Sequence, residues 1–519
     1  MQSNTKFYIT TPIYYVNDQP HIGHVYTTTI ADILARYHRL LGDEVFFLTG
    51  TDEHAAKVVD SAAGHGVSPQ EWAERNAKVF QDTFAKLEIT NSDFVRTTQD
   101  RHKSKVQKYI EELKKSGDIY LGEYAGWYDA GQEEYVPDSA AKDYDYVSPI
   151  NKKPLVRKKE KNYFFRLSAY QDRLRDLLSG KEVEGRRFDV EPAARRNEVM
   201  GRISEGLNDV PVSRTGAGDW GIPIPGDPGH SVYVWIDALF NYLSIIDTNE
   251  RKKFWPADVH LIAKDILWFH AVIWPAMLLA LKRPLPRKVY AHSFWIAEGQ
   301  KMSKSLGNFV DLEKIDYYVL RYGLDALRWF LATQGPFGTN DSDFAEKHFI
   351  DVYNRDLAND FGNLLNRVSG LIGKNFNGII PGCSDLSLED EQVKAVGENL
   401  NSNVQRLIKE LRVNEAIEAV MTFVRQVNTY LEKQAPWKVA KESLKRAGTI
   451  LYTSTEALRL SAVLLSPVMP EKTKTVLEIL GAGNSNANWG ELKPATQLPS
   501  HPALFPRIET KELPPTPSF

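Results

Sequence analysis

Residues 7–48 read FYITTPIYYVNDQPHIGHVYTTTIADILARYHRLLGDEVFFL, and this stretch decides the fold. Phe7-Tyr8-Ile9-Thr10-Thr11-Pro12-Ile13 is a buried strand whose end opens into a loop. From about Gly23 the apolar positions Ile30, Ile33, Leu34, Tyr37, Leu40 and Leu41 recur at the spacing of a helix with one buried face. Gly42-Asp43 stops that helix, and Glu44-Val45-Phe46-Phe47-Leu48 is the next strand. Strand, helix and strand in this order predict a parallel sheet with a right-handed crossover. Ligands of such sheets bind beyond the carboxyl ends of the strands, which is where His21-Ile22-Gly23-His24 falls. Imidazole N–H groups at a helix start can donate to phosphate oxygens, so this turn is a candidate phosphate site.

Further along, sheet character returns at Val232-Tyr233-Val234-Trp235-Ile236 and at Val259-His260-Leu261-Ile262-Ala263. Before them, from about residue 117 to 225, lie polar, Gly/Pro-rich stretches such as Gly216-Ala217-Gly218-Asp219-Trp220-Gly221-Ile222-Pro223, which predict an inserted domain. Lys301-Met302-Ser303-Lys304-Ser305 is a basic loop with two lysines and two hydroxyls, suited to a triphosphate. Beyond about residue 350 the spacing is helical: Val404, Leu407, Ile408 and Leu411 form one stripe, and Ile417, Val420, Met421, Val424, Val427, Tyr430 and Leu431 another. Such stripes predict a helical bundle. The proline-rich last twenty residues are expected to be loose.

At 519 residues the chain should hold three or four domains. Its 42% hydrophobic and 25% charged content is that of a globular protein. With no apolar run long enough to span a bilayer, and a start that lacks the basic and apolar regions of a secretory signal, no membrane association and a cytoplasmic location are expected. One cysteine, Cys383, excludes an intrachain disulfide and any multi-cysteine zinc site, and reads as an inert loop thiol. The net charge of −3 does not advertise nucleic-acid binding, although local patches can hold a nucleic acid on an acidic protein. Lys152, Lys153, Arg157, Lys158, Lys159 and Lys161 form one candidate patch of that kind, although a bare charge run reads first as a solvated face.

Taken together, in this order and at this separation, residues 21–24 and 301–305 resemble the paired HIGH and KMSKS signatures of class I aminoacyl-tRNA synthetases. The surrounding residues narrow the resemblance to the methionine branch, over roughly residues 6 to 470. It implies an α/β fold: a Rossmann-like parallel-sheet catalytic domain (1–116 and 231–295) interrupted by a connective domain (117–230). A linking segment (296–352), an α-helical bundle that binds the anticodon (353–500) and a loose tail (501–519) follow. It also implies an aminoacyl-tRNA ligase of protein biosynthesis that makes methionyl-adenylate from L-methionine and ATP, releases pyrophosphate, and esterifies the 3′ end of tRNA(Met). The attacking carboxylate is already ionised, so the site must supply alignment and positive charge rather than a base. His21, His24, Lys301 and Lys304 are the implied catalytic groups. Gly23, as a smooth surface for adenine, Asp265 and Ser303 join them in holding ATP, with Mg2+ bridging the phosphates.

The amino-acid pocket is implied by Val234-Trp235-Ile236-Asp237-Ala238-Leu239-Phe240-Asn241-Tyr242 and by Ala263-Lys264-Asp265-Ile266-Leu267-Trp268-Phe269-His270-Ala271-Val272-Ile273-Trp274-Pro275. By resemblance, Ile13, Tyr15, Trp235, Ala238, Tyr242, His270 and Trp274 surround the methionine side chain, and Asp52 holds its ammonium. Thioether sulfur packs well against aromatic rings, and Tyr15 and His270 offer polar tips for weak contacts to it. Ala263 stands where the family has glycine.

Many relatives carry a zinc knuckle in the inserted domain. Its ligand positions appear here as Asp129, Gln132, Ser148 and Asn151, which would not make a structural zinc site. Hydrogen bonds and packing are expected in its place. Asn363-Leu364-Leu365-Asn366-Arg367 and Ala435-Pro436-Trp437-Lys438 resemble the anticodon-reading elements, with Asn363, Arg367, Pro436 and Trp437 as the contact residues. No oligonucleotide-binding appendage follows residue 500, so a monomer is expected. The rival readings are a class I synthetase for another amino acid and a non-catalytic tRNA-binding paralogue. A cysteine enzyme would need zinc, the larger aliphatic enzymes carry longer editing insertions, and a paralogue has little reason to retain both histidines and both lysines.

Overall fold

The first strand, β1 (Lys6–Tyr15), runs beside β2 (Glu44–Asp52), and helix α1 (Ile22–Leu40) makes the crossover between them. These elements belong to a computed structural model that describes residues 5–129, 134–136, 138–149, 151–215, 220–297, 299–302, 308–483 and 485–509. Four more strands complete the sheet: β3 (Asp93–Arg96), β4 (Asp189–Glu191), β5 (Val259–Ala263) and β6 (Lys288–His292). Every pairing is parallel, in the spatial order β3-β2-β1-β5-β6-β4. The chain leaves β1 toward β2 and β3 on one side and returns through β5 and β6 on the other. The reversal opens a crevice at the carboxyl ends of β1 and β5. A register shift between Thr10 and Ile13 in the β1–β2 pairing bends the end of β1 above it.

Strand β4 corrects the expected boundaries. The stretch 117–230 is not a continuous insertion, because residues 189–191 return to the edge of the catalytic sheet. Asp-Val-Glu is too short and too polar to register as an apolar run. The rest of the insertion combines short helices with an antiparallel sheet of Ile119–Asp129, Glu134–Val136, Val156–Phe165 and Val210–Pro211, and a smaller sheet formed by Ser213–Thr215, Pro223–Ile224 and Asp227–Val232.

The helical region packs as the stripes predict. Helices α6 (Asn363–Phe376), α7 (Leu388–Lys409), α8 (Val413–Gln434) and α9 (Leu444–Leu465) bury Val404, Leu407, Ile417, Val420, Val424 and Leu431 in one core, shared with α1. Between sheet and bundle lies α5 (Leu324–Gln334), and a buried ion pair joins the two parts through it. Arg328 donates to Asp32 Oδ2 on α1 at 2.7 Å and to the carbonyls of Pro467 and Val468 at 3.0 Å. Full hydrogen bonding of the guanidinium is what makes such a burial tolerable. The tail offers a second correction: Leu504 and Phe505 are buried, and Ile508 N donates to Asn354 Oδ1 at 2.9 Å, so residues 501–509 are docked rather than loose. Phe505 meets Tyr353 edge to face, which supplies the apolar contact that proline content alone does not reveal. Residues 510–519 lie outside the described residues.

Candidate active site

His21 is the N-cap of α1, with extended backbone, and its Nδ1 accepts from the N–H of Gly23 at 3.1 Å. His24, three residues on, returns the favour: its Nδ1 accepts from the N–H of His21 at 3.3 Å. Two orphan donors of the helix start are thus satisfied by imidazoles. Because both Nδ1 atoms accept, each neutral ring carries its proton on Nε2. The rings stack with centroids 3.8 Å apart. Desolvation, and then the neighbouring His21, push the pKa of His24 well below the ordinary imidazole value. His24 is therefore a neutral N–H donor at a helix terminus whose dipole favours anions. Gly23 has a local reason as well: a Cβ there would lie 2.9 Å from Cε1 of His21, so only glycine lets that ring fold over the helix start.

The crevice holds a cavity of about 540 Å³. Ile13, Tyr15, His21, Gly23, His24, Asp52, Trp235, Ala238, Tyr242, Asp265 and His270 all line it, so most of the expected site residues converge. At one end, helix α3 (Val234–Ser244) supplies Trp235, Ala238 and Tyr242. The Trp235 indole stacks on Phe269 at 4.0 Å and meets the edge of Tyr15 at 6.1 Å. His270 Nδ1 donates to the carbonyl of Ile266 at 3.0 Å, leaving Nε2 to accept from the Tyr242 hydroxyl at 2.8 Å. Burial lowers its pKa to about 4. Both nitrogens are committed, so His270 has no N–H to spare for the sulfur contact that the sequence suggests. Trp274, at the start of helix α4 (Trp274–Ala280), is fully buried and does not reach the cavity. Its indole N–H donates to His260 Nε2 at 3.2 Å, which makes it a backing residue behind Tyr242 rather than a wall.

Asp265 follows β5 and is exposed at the cavity rim, and Ala263 also lines the cavity. The neighbouring Lys264 pairs with Asp341 at 2.6 Å. Sequence reasoning missed His292, at the end of β6. Its Nε2 accepts from Thr27 Oγ1 at 2.7 Å, its Nδ1 donates to the Ser293 carbonyl at 2.7 Å, and burial lowers its pKa to about 4. The usable signal was its position at a strand's carboxyl end.

Lys301 is exposed on the short strand Gln300–Lys301, which pairs with Trp295–Ala297. Ser303 and Lys304 lie outside the described residues. Beyond them the chain docks onto the helix start: Ile22 N donates to Val310 O at 3.0 Å, and Phe309 meets the His21 ring edge to face at 5.3 Å. On the helical bundle, outside the cavity lining, Asn363 is exposed, and the Arg367 guanidinium sits 6.0 Å from the ring centre of Trp437. Pro436 is buried and Trp437 is 38% exposed. In the inserted sheet, Asn151 Nδ2 donates to Asp129 Oδ1 at 2.7 Å, and Asn151 N to Ser148 Oγ at 3.2 Å. Gln132 lies outside the described residues. Lys152, Lys153, Arg157, Lys159 and Lys161 are exposed, which either reading of the basic run requires.

Among the described residues no helix is long and apolar enough to cross a membrane. The family described as tRNA synthetases class I (M) matches residues 7–144 and 141–369, and the anticodon binding domain of methionyl tRNA ligase matches residues 380–506. The chain is 43% identical to the methionine–tRNA ligase of Caldanaerobacter subterraneus subsp. tengcongensis, over 98% of its own length and 79% of the relative's. It is 42% identical to that of Streptomyces coelicolor, over 98% of each. The solved structure of Mycobacterium tuberculosis methionyl-tRNA synthetase with methionyl-adenylate superposes with a TM-score of 0.89 at 36% identity, covering 97% of this chain and all of that one.

Proposed function

The chain belongs to the methionine branch of the class I tRNA synthetases, and from that premise we propose a role for each part of its cavity and helical face. As a methionine–tRNA ligase, it activates L-methionine with ATP to methionyl-adenylate and pyrophosphate, then transfers methionine to the 3′ end of tRNA(Met). One observation carries the assignment of roles: a helix start with two neutral imidazole donors opens into the same cavity as an aromatic pocket and a buried carboxylate.

In this reading the methionine side chain lies among Ile13, Tyr15, Trp235, Ala238, Tyr242 and His270, and Asp52, 2% exposed, holds the ammonium. That fixes the carboxylate beside the α-phosphate of ATP, which is most of what an ionised nucleophile needs. Gly23 and Asp265 contact the nucleotide. The Nε2–H groups of His21 and His24 donate to phosphate oxygens as they gain charge, and Lys301, Ser303 and Lys304 close over the leaving pyrophosphate. Mg2+ enters bound to the ATP phosphates. Trp437 stacks an unpaired anticodon base on the bundle face that carries Asn363 and Arg367, with Pro436 fixing its turn. In the inserted sheet, hydrogen bonds among Asp129, Ser148 and Asn151 replace a zinc site, since a carboxylate, a hydroxyl and an amide are not a structural zinc set. Cavity and anticodon face belong to one chain, which fits a monomer working in the cytoplasm beside its ATP and tRNA. Incubation with ATP, Mg2+, labelled methionine and total tRNA should yield alkali-labile methionyl ester on tRNA(Met) alone. Ester on another tRNA, or none, would refute the reading.

A further inference from the structure

Asp237, in the first turn of α3, takes no part in the steps above, yet it is 1% exposed and grips two imidazoles. Its Oδ2 lies 2.7 Å from His54 Nδ1 and its Oδ1 2.7 Å from His102 Nε2. His102, on helix α2 (Asp100–Lys115), is itself held by Ser244 Oγ at 2.7 Å. Burial would raise the pKa of Asp237, but the charge of His54 and hydrogen bonds from both rings bring it down to about 2, so the group is an ionised carboxylate.

His54 stands two residues beyond Asp52, at the end of β2. The residue between, Glu53, is fully buried, with Arg96 donating to its two oxygens at 2.7 and 3.1 Å and Thr98 donating at 2.5 Å. Glu53 N donates to Thr97 Oγ1 at 2.9 Å, and the Trp220 indole donates to Glu53 O at 2.7 Å. The backbone just past Asp52 is thus clamped to β3 and the segment after it through Glu53, and to α3 through His54. Asp237 precedes Ala238 and lies five residues before Tyr242, both on the wall of the side-chain pocket.

We propose that Asp237 is a positioning residue: through His54 it fixes the register between the carboxylate at Asp52 and the thioether pocket on α3. This rests on the reading of Asp52 as the ammonium ligand. One methionine must meet both ends at once, so the spacing between them matters as much as either end. A misplacement of about 1 Å weakens a contact made at the far end of a rigidly held ligand.

The test is pyrophosphate exchange, read as KM and kcat for methionine, together with the competitive Ki of 4-(methylthio)butanoate, which has the carboxylate and thioether but no amine. Asp237→Ala and His54→Ala should each raise KM for methionine about tenfold, as expected for a lost charge-assisted contact. Neither should change kcat much, and the Ki of the amine-free acid should hold. Asp237→Asn, which still accepts from His54, should recover part of the affinity, and it carries the test with His54→Ala if Asp237→Ala does not fold. Equal losses for methionine and the amine-free acid, or no loss for either, would overturn the proposal. Asp52→Ala with an unchanged KM for methionine would instead sink the reading of Asp52, a separate result.

Discussion

The main-chain N–H of Ile22 donates a 3.0 Å hydrogen bond to the carbonyl of Val310. Beside it, His21 bridges to Asp311. The first stretch singled out in the sequence is therefore joined to residues 310–311, a few positions beyond the second. The backbone at Val310 and Asp311 is thus fastened to the start of α1, where His21 and His24 stand.

If His24 donates to a phosphate oxygen mainly in the transition state, His24→Ala should lower kcat for adenylate formation by roughly a hundredfold or more, the usual cost of one preorganised donor. Methionine affinity should stay nearly constant. Pyrophosphate exchange at varied methionine reads both. A matched loss of methionine affinity would show that the ring shapes the pocket instead.

The fold places His270 and His292 as neutral buried rings, each with its pKa lowered from 6.5 to about 4. Above pH 6.5 neither state binds the proton, and stability is unaffected. As pH falls from 6.5 toward 4 the unfolded chain takes up protons that the folded chain refuses, so stability is lost through that window. Each ring should contribute on the order of 1–2 kcal/mol of the loss by pH 5. Urea unfolding at pH 7.5 and pH 5 should show a larger drop for the wild type than for His270→Gln. Equal drops would contradict the burial of that ring.

Much of this was legible in the sequence, and the exceptions have physical reasons. Helix α1 and strands β1 and β2 announce themselves because a 3.6-residue stripe lies between two apolar runs. His21 and His24 could be placed because a strand-to-helix turn puts them beyond the sheet. Strand β4 was invisible, since three residues at a sheet edge are set by the partner strand and not by local pattern. The seat of Trp274 behind Tyr242 was not legible for a related reason: aromatic spacing tells which face of a helix is buried, but not whether that face ends at a cavity or at His260 behind it. His292 and Asp237 were missed because single polar residues in apolar stretches carry no signal until their partners, Thr27 and His54, arrive from distant segments.

Trp437→Ala should separate the two half-reactions. Loss of one base stack, about 1–3 kcal/mol, predicts a roughly ten- to hundredfold fall in tRNA charging. Exchange without tRNA should be nearly intact, because the indole is not among the residues that line the cavity. Joint loss of both activities would make Trp437 a structural residue.

Dialysis against a weak chelator should leave no stoichiometric zinc and no change in melting temperature, since Asp129 and Asn151 already satisfy each other. One zinc per chain after dialysis would contradict this.

The most direct test of the central claim is ATP–pyrophosphate exchange with each of the twenty amino acids, without tRNA. Exchange supported by methionine alone is the predicted result, and it would join the two-histidine helix start and the aromatic pocket in one reaction. Exchange with another amino acid, or with none, would contradict the account.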